Sequence, residues 1–146
     1  MRRVPYEEPN LLNIELSASN GVFAGTVDFY CGPGDLLEIA TALSPFPTKI
    51  PDDYVFEYGS PGSGSNSYLL LRAYTLGPLG HCGLHISMNR NCAPPNEGLC
   101  ELSISAEPAA LNKLGLLLRH FAQLEHLKLK WTPTLAELDG STLTLS

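Results

Sequence analysis

No run of about 18 apolar residues occurs in the chain of 146, so no segment is expected to cross a bilayer as a helix. Behind the two arginines of Met1-Arg2-Arg3-Val4-Pro5 there is no apolar stretch, so the start does not read as a secretory signal. A cytoplasmic setting is expected, and with it four free thiols (Cys31, Cys82, Cys92, Cys100) rather than disulfides. No CxxC pair is present, which removes the zinc-ribbon and thioredoxin-like readings. Nor is there a Gly-x-Ser-x-Gly elbow or a Walker lysine behind a glycine loop. Charge is scarce at 16%, and basic charge scarcer: 9 Lys and Arg stand against 15 Asp and Glu, a net of −6. Residues 1–110 hold 12 of those acids against 5 bases. Such a body repels phosphate backbones, which argues against nucleic-acid binding and favours a basic protein partner.

What is present reads as one α+β domain. Leu12, Ile14, Leu16 and Ala18 alternate with polar residues, and Asn20-Gly21 supplies the dipeptide of a type I′ turn. A two-residue loop there pairs Ser19 with Val22, and hence Leu16 with Gly25 and Ile14 with Val27 on the apolar face. Asp35, with Glu38 three residues on, is read as the cap of a helix. Its core stripe is Leu36, Ile39, Ala40 and Leu43, ended by Pro45 and Pro47. Tyr54–Tyr58 reads as a short strand, followed by a Gly- and Ser-rich loop from Gly59 to Ser67. Three alternating strands come next: Tyr68–Tyr74, a segment carrying Cys82, Leu84, Ile86 and Met88, and one carrying Cys100, Leu102, Ile104 and Ala106. A second helix opens at Pro108 with Leu111, Leu114, Leu118 and Phe121 inward, and Leu127, Leu129 and Trp131 mark a last strand. The order is ββαββββαβ: a mostly antiparallel sheet with two amphipathic helices on one face. Its compact part spans about residues 10–132. Residues 133–146 carry an Asp139-Gly140 turn signal in a mixed pattern, and no element is assigned to them.

Two constellations are candidates for function. His81-Cys82-Gly83-Leu84-His85 places two imidazoles on one strand face, where a metal would still want at least a third ligand. The alternative is a turn histidine and a solvent-facing one. The second constellation is acidic: Glu15, Asp28, Asp52, Asp53 and Glu57 interleave with Tyr30, Tyr54 and Tyr58. Tyrosines bury area and carboxylates steer a basic partner, so this set suits a protein interface. The alternative is an ordinary solvated sheet face with aromatic cross-strand pairs. Cys31, ahead of a capped helix, is weighed as a thiol of lowered pKa, with no histidine local to it. No catalytic centre and no cofactor are expected.

Residues Ala18-Ser19-Asn20-Gly21-Val22-Phe23-Ala24-Gly25, then Asp28-Phe29-Tyr30, the capped helix and Phe46-Pro47 resemble the N-terminal half of WapI-like bacterial immunity proteins. Gly80-His81 before an alternating strand and Glu107-Pro108-Ala109-Ala110-Leu111 at the last helix fit the same layout, and the likeness spans roughly residues 11–122. The resemblance implies a cytoplasmic antitoxin of a polymorphic toxin system that binds and blocks a cognate toxin domain, often a nuclease. It carries over no binding residues. Beside this reading stand a small metal-binding protein or enzyme using His81 and His85, and a scaffold that homodimerises through an open sheet face or edge strand.

Overall fold

The opening hairpin forms where the alternation predicts it, but in another register. In the computed structural model, which describes residues 1–5, 8–62, 67–138 and 143–144, β2 (Leu12–Ser19) and β3 (Ala24–Cys31) pair antiparallel with Ser19 opposite Ala24, Leu16 opposite Val27 and Ile14 opposite Phe29. The connection has four residues rather than two, because the Asn20 side chain closes it. Its Oδ1 accepts from the Val22 and Phe23 amides at 3.0 and 2.9 Å, while the Asn20 amide donates to the Phe23 carbonyl at 3.1 Å. The slip is two residues. Strand side chains repeat every second residue, so the apolar set stays inward and only its cross-strand partners change. Phe23 leaves the face and stands 61% exposed at the tip.

The chain start belongs to the fold, although alternation shows nothing before residue 10. β1 (Arg2–Val4) pairs with β2, Arg2 opposite Glu15. Its other edge meets β8 (Leu129–Thr132): Met1 and Leu129 exchange backbone hydrogen bonds at 2.8 and 2.9 Å, and the Arg3 amide donates to the Leu127 carbonyl at 2.8 Å. β9 (Leu135–Leu138) and β10 (Leu143–Thr144) continue beyond β8. The layer therefore runs β3-β2-β1-β8-β9-β10. The Asp139-Gly140 signal and residues 63–66 of the Gly/Ser loop lie outside the described residues.

Opposite this layer is a four-stranded antiparallel sheet in the order β4 (Asp53–Tyr58), β5 (Tyr68–Leu76), β6 (His81–Asn89) and β7 (Leu99–Ala106). Both inner faces and both helices feed one core that includes Ile14, Phe29, Leu69, Leu84, Ile86 and Leu111. The α+β class and the antiparallel pairing hold throughout, with the strands divided between two layers.

Helix α1 (Pro33–Leu43) buries Leu36, Ile39, Ala40 and Leu43, as the spacing predicts, but its N-cap is Gly32. Asp35 works from the third helical position, its carboxylate accepting the Gly32 amide at 2.8 Å. Helix α2 (Pro108–Phe121) starts at proline, where the missing N–H costs nothing. It meets α1 at Gly115, where a Cβ would fall 2.7 Å from the Ser44 amide nitrogen. One turn earlier, Asn112 Nδ2 donates to the carbonyls of Leu43 and Phe46 at 2.9 and 2.8 Å, satisfying the open end of α1.

Candidate functional site

The acidic and tyrosine residues do not form one surface. On β4 they occupy opposite faces: Asp53 and Glu57 point outward, while Tyr54 and Tyr58 turn half-buried towards the core. Tyr58 packs on Phe29 with ring centroids 5.6 Å apart. The outward acids are engaged within the fold. Asp53 is forked by Arg72 at 2.6–3.0 Å, and Glu57 accepts the Tyr68 hydroxyl at 2.5 Å. Asp52 receives the Thr48 amide at 2.9 Å, and that hydrogen bond, ahead of all other causes, holds its carboxyl below the usual range.

Glu15, Asp28 and Tyr30 remain together. All three lie on the outer face of the hairpin, and the observed register sets Glu15 directly opposite Asp28. Like charges placed so are unfavourable. Arg2 compensates on one side only, reaching Glu15 at 3.0 Å from β1. Asp28 and the exposed Tyr30 border a groove between the free edge of β3 and the segment carrying Arg90 and Cys92.

His81 and His85 share the outer face of β6, but a strand rising about 3.3 Å per residue keeps their Cα atoms roughly 13 Å apart. The space between them is filled by the Tyr74 ring, which covers Gly83 so closely that a Cβ there would lie 2.5 Å from Tyr74 Cζ. Each imidazole also has its own partners. His81 Nδ1 is 2.8 Å from Glu107, and His85 Nδ1 is 2.9 Å from Ser103 Oγ. Among the described residues no three His, Cys, Asp or Glu converge as a metal site. The ladder thus holds apart the two side chains that the sequence places on one face.

The thiols are free, two of them buried. Cys31 does not gain a lowered pKa from α1: burial first, and then the Asp35 charge, push it up to about 12. The activated-thiol alternative for Cys31 therefore lacks support.

Sequence reasoning misses an apolar concave feature of the fold. A cavity of about 320 Å³ lies where the two layers and both helices meet. Leu84, Ile86 and Ile104 of the four-stranded sheet form one wall, and Ile39, Leu43, Leu114 and Leu118 of the helices another. The Tyr54 hydroxyl on the wall is buried without a hydrogen-bond partner. Burial, reinforced by Glu38, raises its pKa to about 12.

Met1, residues 16–19 of β2 and residues 129–131 of β8 complete the lining. Trp131 is fixed by its indole N–H, which donates to the Ala110 carbonyl at 2.9 Å. A closed, dry void forfeits ~24 cal/mol per Å³, which for 320 Å³ is about 8 kcal/mol, the scale of a whole domain's stability. Such a space is tolerable where it opens to solvent or is occupied.

The only sequence traces of the cavity are the small inward residues Ala18 and Ala73 and the single Trp131 beside Lys130. Each has an ordinary reading alone. No family model, curated protein or solved structure matches the chain.

Proposed function

We propose that the chain is a non-catalytic, toxin-neutralising immunity protein that binds a basic toxin domain, such as a nuclease, and blocks it by occlusion. The observation carrying this reading is Glu15 directly opposite Asp28 beside an exposed Tyr30. The pair raises the energy of the free protein, and a partner lysine or arginine seated between the two carboxylates relieves it. The excess of acid over base in residues 1–110 steers such a partner, and the resemblance to WapI-like immunity proteins supplies the class. Catalysis by the histidines has less support, because Tyr74 lies between them and each has a partner of its own.

The test is co-expression and binding with the toxin domain encoded beside this chain's gene. The wild-type chain protects cells and binds in a salt-sensitive manner. Asp28→Lys weakens binding by at least about tenfold and leaves the urea midpoint unchanged or raised, because a like-charge pair is removed. Absence of both protection and binding would overturn the reading, and unchanged binding by Asp28→Lys would overturn the surface.

A further inference from the structure

We propose that the free edge of β3 docks an extended segment of the partner protein as an added strand, with a lysine or arginine beside Asp28. This deepens the proposed function, and only the choice of a toxin segment rests on that reading. Backbone direction defines the edge. The Asn20 amide bonds the Phe23 carbonyl, and bonded pairs alternate with non-bonded ones along an antiparallel ladder. Gly25, Val27 and Phe29 therefore bond to β2, while Thr26, Asp28 and Tyr30 turn their amides and carbonyls outward. The Tyr58 hydroxyl occupies the Tyr30 amide. The peptide groups of Thr26 and Asp28 have no partner among the described residues. A groove of about 440 Å³ runs beside them, bounded on its far side by Ser67, Arg90 and Cys92. An added strand uses outward donors and acceptors alike.

Charge sets what that strand carries. Across the outer face runs a row of cross-strand neighbours: Arg2 on β1, Glu15 on β2 and Asp28 on β3. Glu15 and Asp28 form a non-bonded pair, the kind whose side chains stand closest. Arg2 neutralises the Glu15 end at 3.0 Å, and the place beyond Asp28 is the one an added strand fills. A cation there completes the row, and a long basic side chain reaches back over the gap between the two carboxylates. The exposed Tyr30, diagonal to that place, is within reach of its aliphatic stem. Side chains of the other parity face Ser67, Arg90 and Cys92, where basic residues are disfavoured. A second copy paired antiparallel along this edge would add its own Glu15 and Asp28 to the same face, so the edge disfavours self-association.

Amide exchange followed by NMR tests the edge with two probes. One is the toxin domain encoded beside this chain's gene; the other is a capped heptapeptide, Thr-Lys-Val-Lys-Val-Lys-Thr. In the free chain the amides of Thr26 and Asp28 exchange fast, and those of Val27 and Phe29 slowly. Saturation with either probe slows Thr26 and Asp28 at least about tenfold, whereas the same peptide with Glu for Lys leaves them fast. Thr26→Pro removes one outward donor where an edge strand accepts proline. It weakens both probes by about fivefold while the β2–β3 ladder is retained. Should it fail to fold by circular dichroism, the wild-type exchange pattern decides alone. Binding unchanged by a folded Thr26→Pro overturns main-chain pairing. Toxin binding that leaves Thr26 and Asp28 fast overturns the edge but not the immunity reading. Absence of toxin binding overturns the immunity reading, and the peptide then decides the edge by itself: protection upholds it and none overturns it. Slow exchange at Thr26 and Asp28 without either probe, with a dimeric mass, makes a second copy the occupant and overturns the proposal.

Discussion

Arg3 is 5% exposed, yet it carries a full charge. It pairs with Glu8, donates from Nε to the His126 carbonyl at 2.8 Å, and lies 5.8 Å from the Phe121 ring centroid. One residue thus ties the first strand to the α2–β8 connection, 123 positions away. Breaking a buried ion pair by removing one partner leaves the other charge stranded. Arg3→Ala is therefore expected to lower unfolding free energy by about 3–5 kcal/mol in urea melts. A loss below ~1 kcal/mol would show that the pair is solvated. Nothing in Arg2-Arg3 distinguishes these neighbours in the sequence, since both read as a polar start. Only the pairing of β1 with β2 turns Arg2 out to Glu15 and Arg3 inward. The orientation of Tyr54, Phe56 and Tyr58 is different, because strand parity makes it legible once a buried Phe56 is taken as inward. Grouping those tyrosines with Asp53 and Glu57 overlooked that parity.

At the scale of elements, sequence periodicity served well where one face meets the core and less well where partners must be matched. The inward sets of α1, β2 and β6 follow directly from period. The hairpin register does not: moving two residues keeps Leu12, Ile14, Leu16, Val27 and Phe29 inside and releases only Phe23 at the tip, so pattern alone leaves the two registers equivalent. The Asn20 side chain decides between them, by accepting two amides that a two-residue turn would pair otherwise. The contact of α1 with α2 is likewise set by one missing side chain. Gly115→Ala puts a methyl 2.7 Å from the Ser44 nitrogen and 3.0 Å from the Ala40 carbonyl oxygen. The backbone cannot yield there without moving α1. Overpacking of this kind costs about 1–3 kcal/mol, enough to outweigh alanine's better helix propensity of roughly 1 kcal/mol. The expected result is a lowered melting temperature with helical circular dichroism retained. A rise in melting temperature would show that the helices separate freely.

For the molecule as a whole, three buried acids of high pKa make alkaline pH the vulnerable direction. Cys31 is raised from 9.0 to about 12, and Tyr54 and Tyr68 from 10.0 to about 12, with burial the largest cause in each. The unfolded chain releases these protons at lower pH than the folded one does. Their stabilising contribution is whole below pH 9–10 and is lost as pH rises towards 12. Urea midpoints measured from pH 8 upward should fall through this window, and Cys31→Ala should remove the part that begins near pH 9. A flat profile to pH 11 would contradict the burial of all three groups. The cavity belongs to this scale too, and for that reason periodicity could not show it. Leu84, Leu114 and Trp131 each read as ordinary inward residues. The space among them exists only because two layers and two helices meet without closing, a matter of distances that no local pattern encodes.

The fixed setting of Trp131 has a practical consequence. It is the chain's only tryptophan, and its indole N–H is held by the Ala110 carbonyl, so its fluorescence reports the docking of β8 on α2 without any label. Emission and circular dichroism followed through one urea series should trace a single transition, because that docking and the rest of the core are lost together.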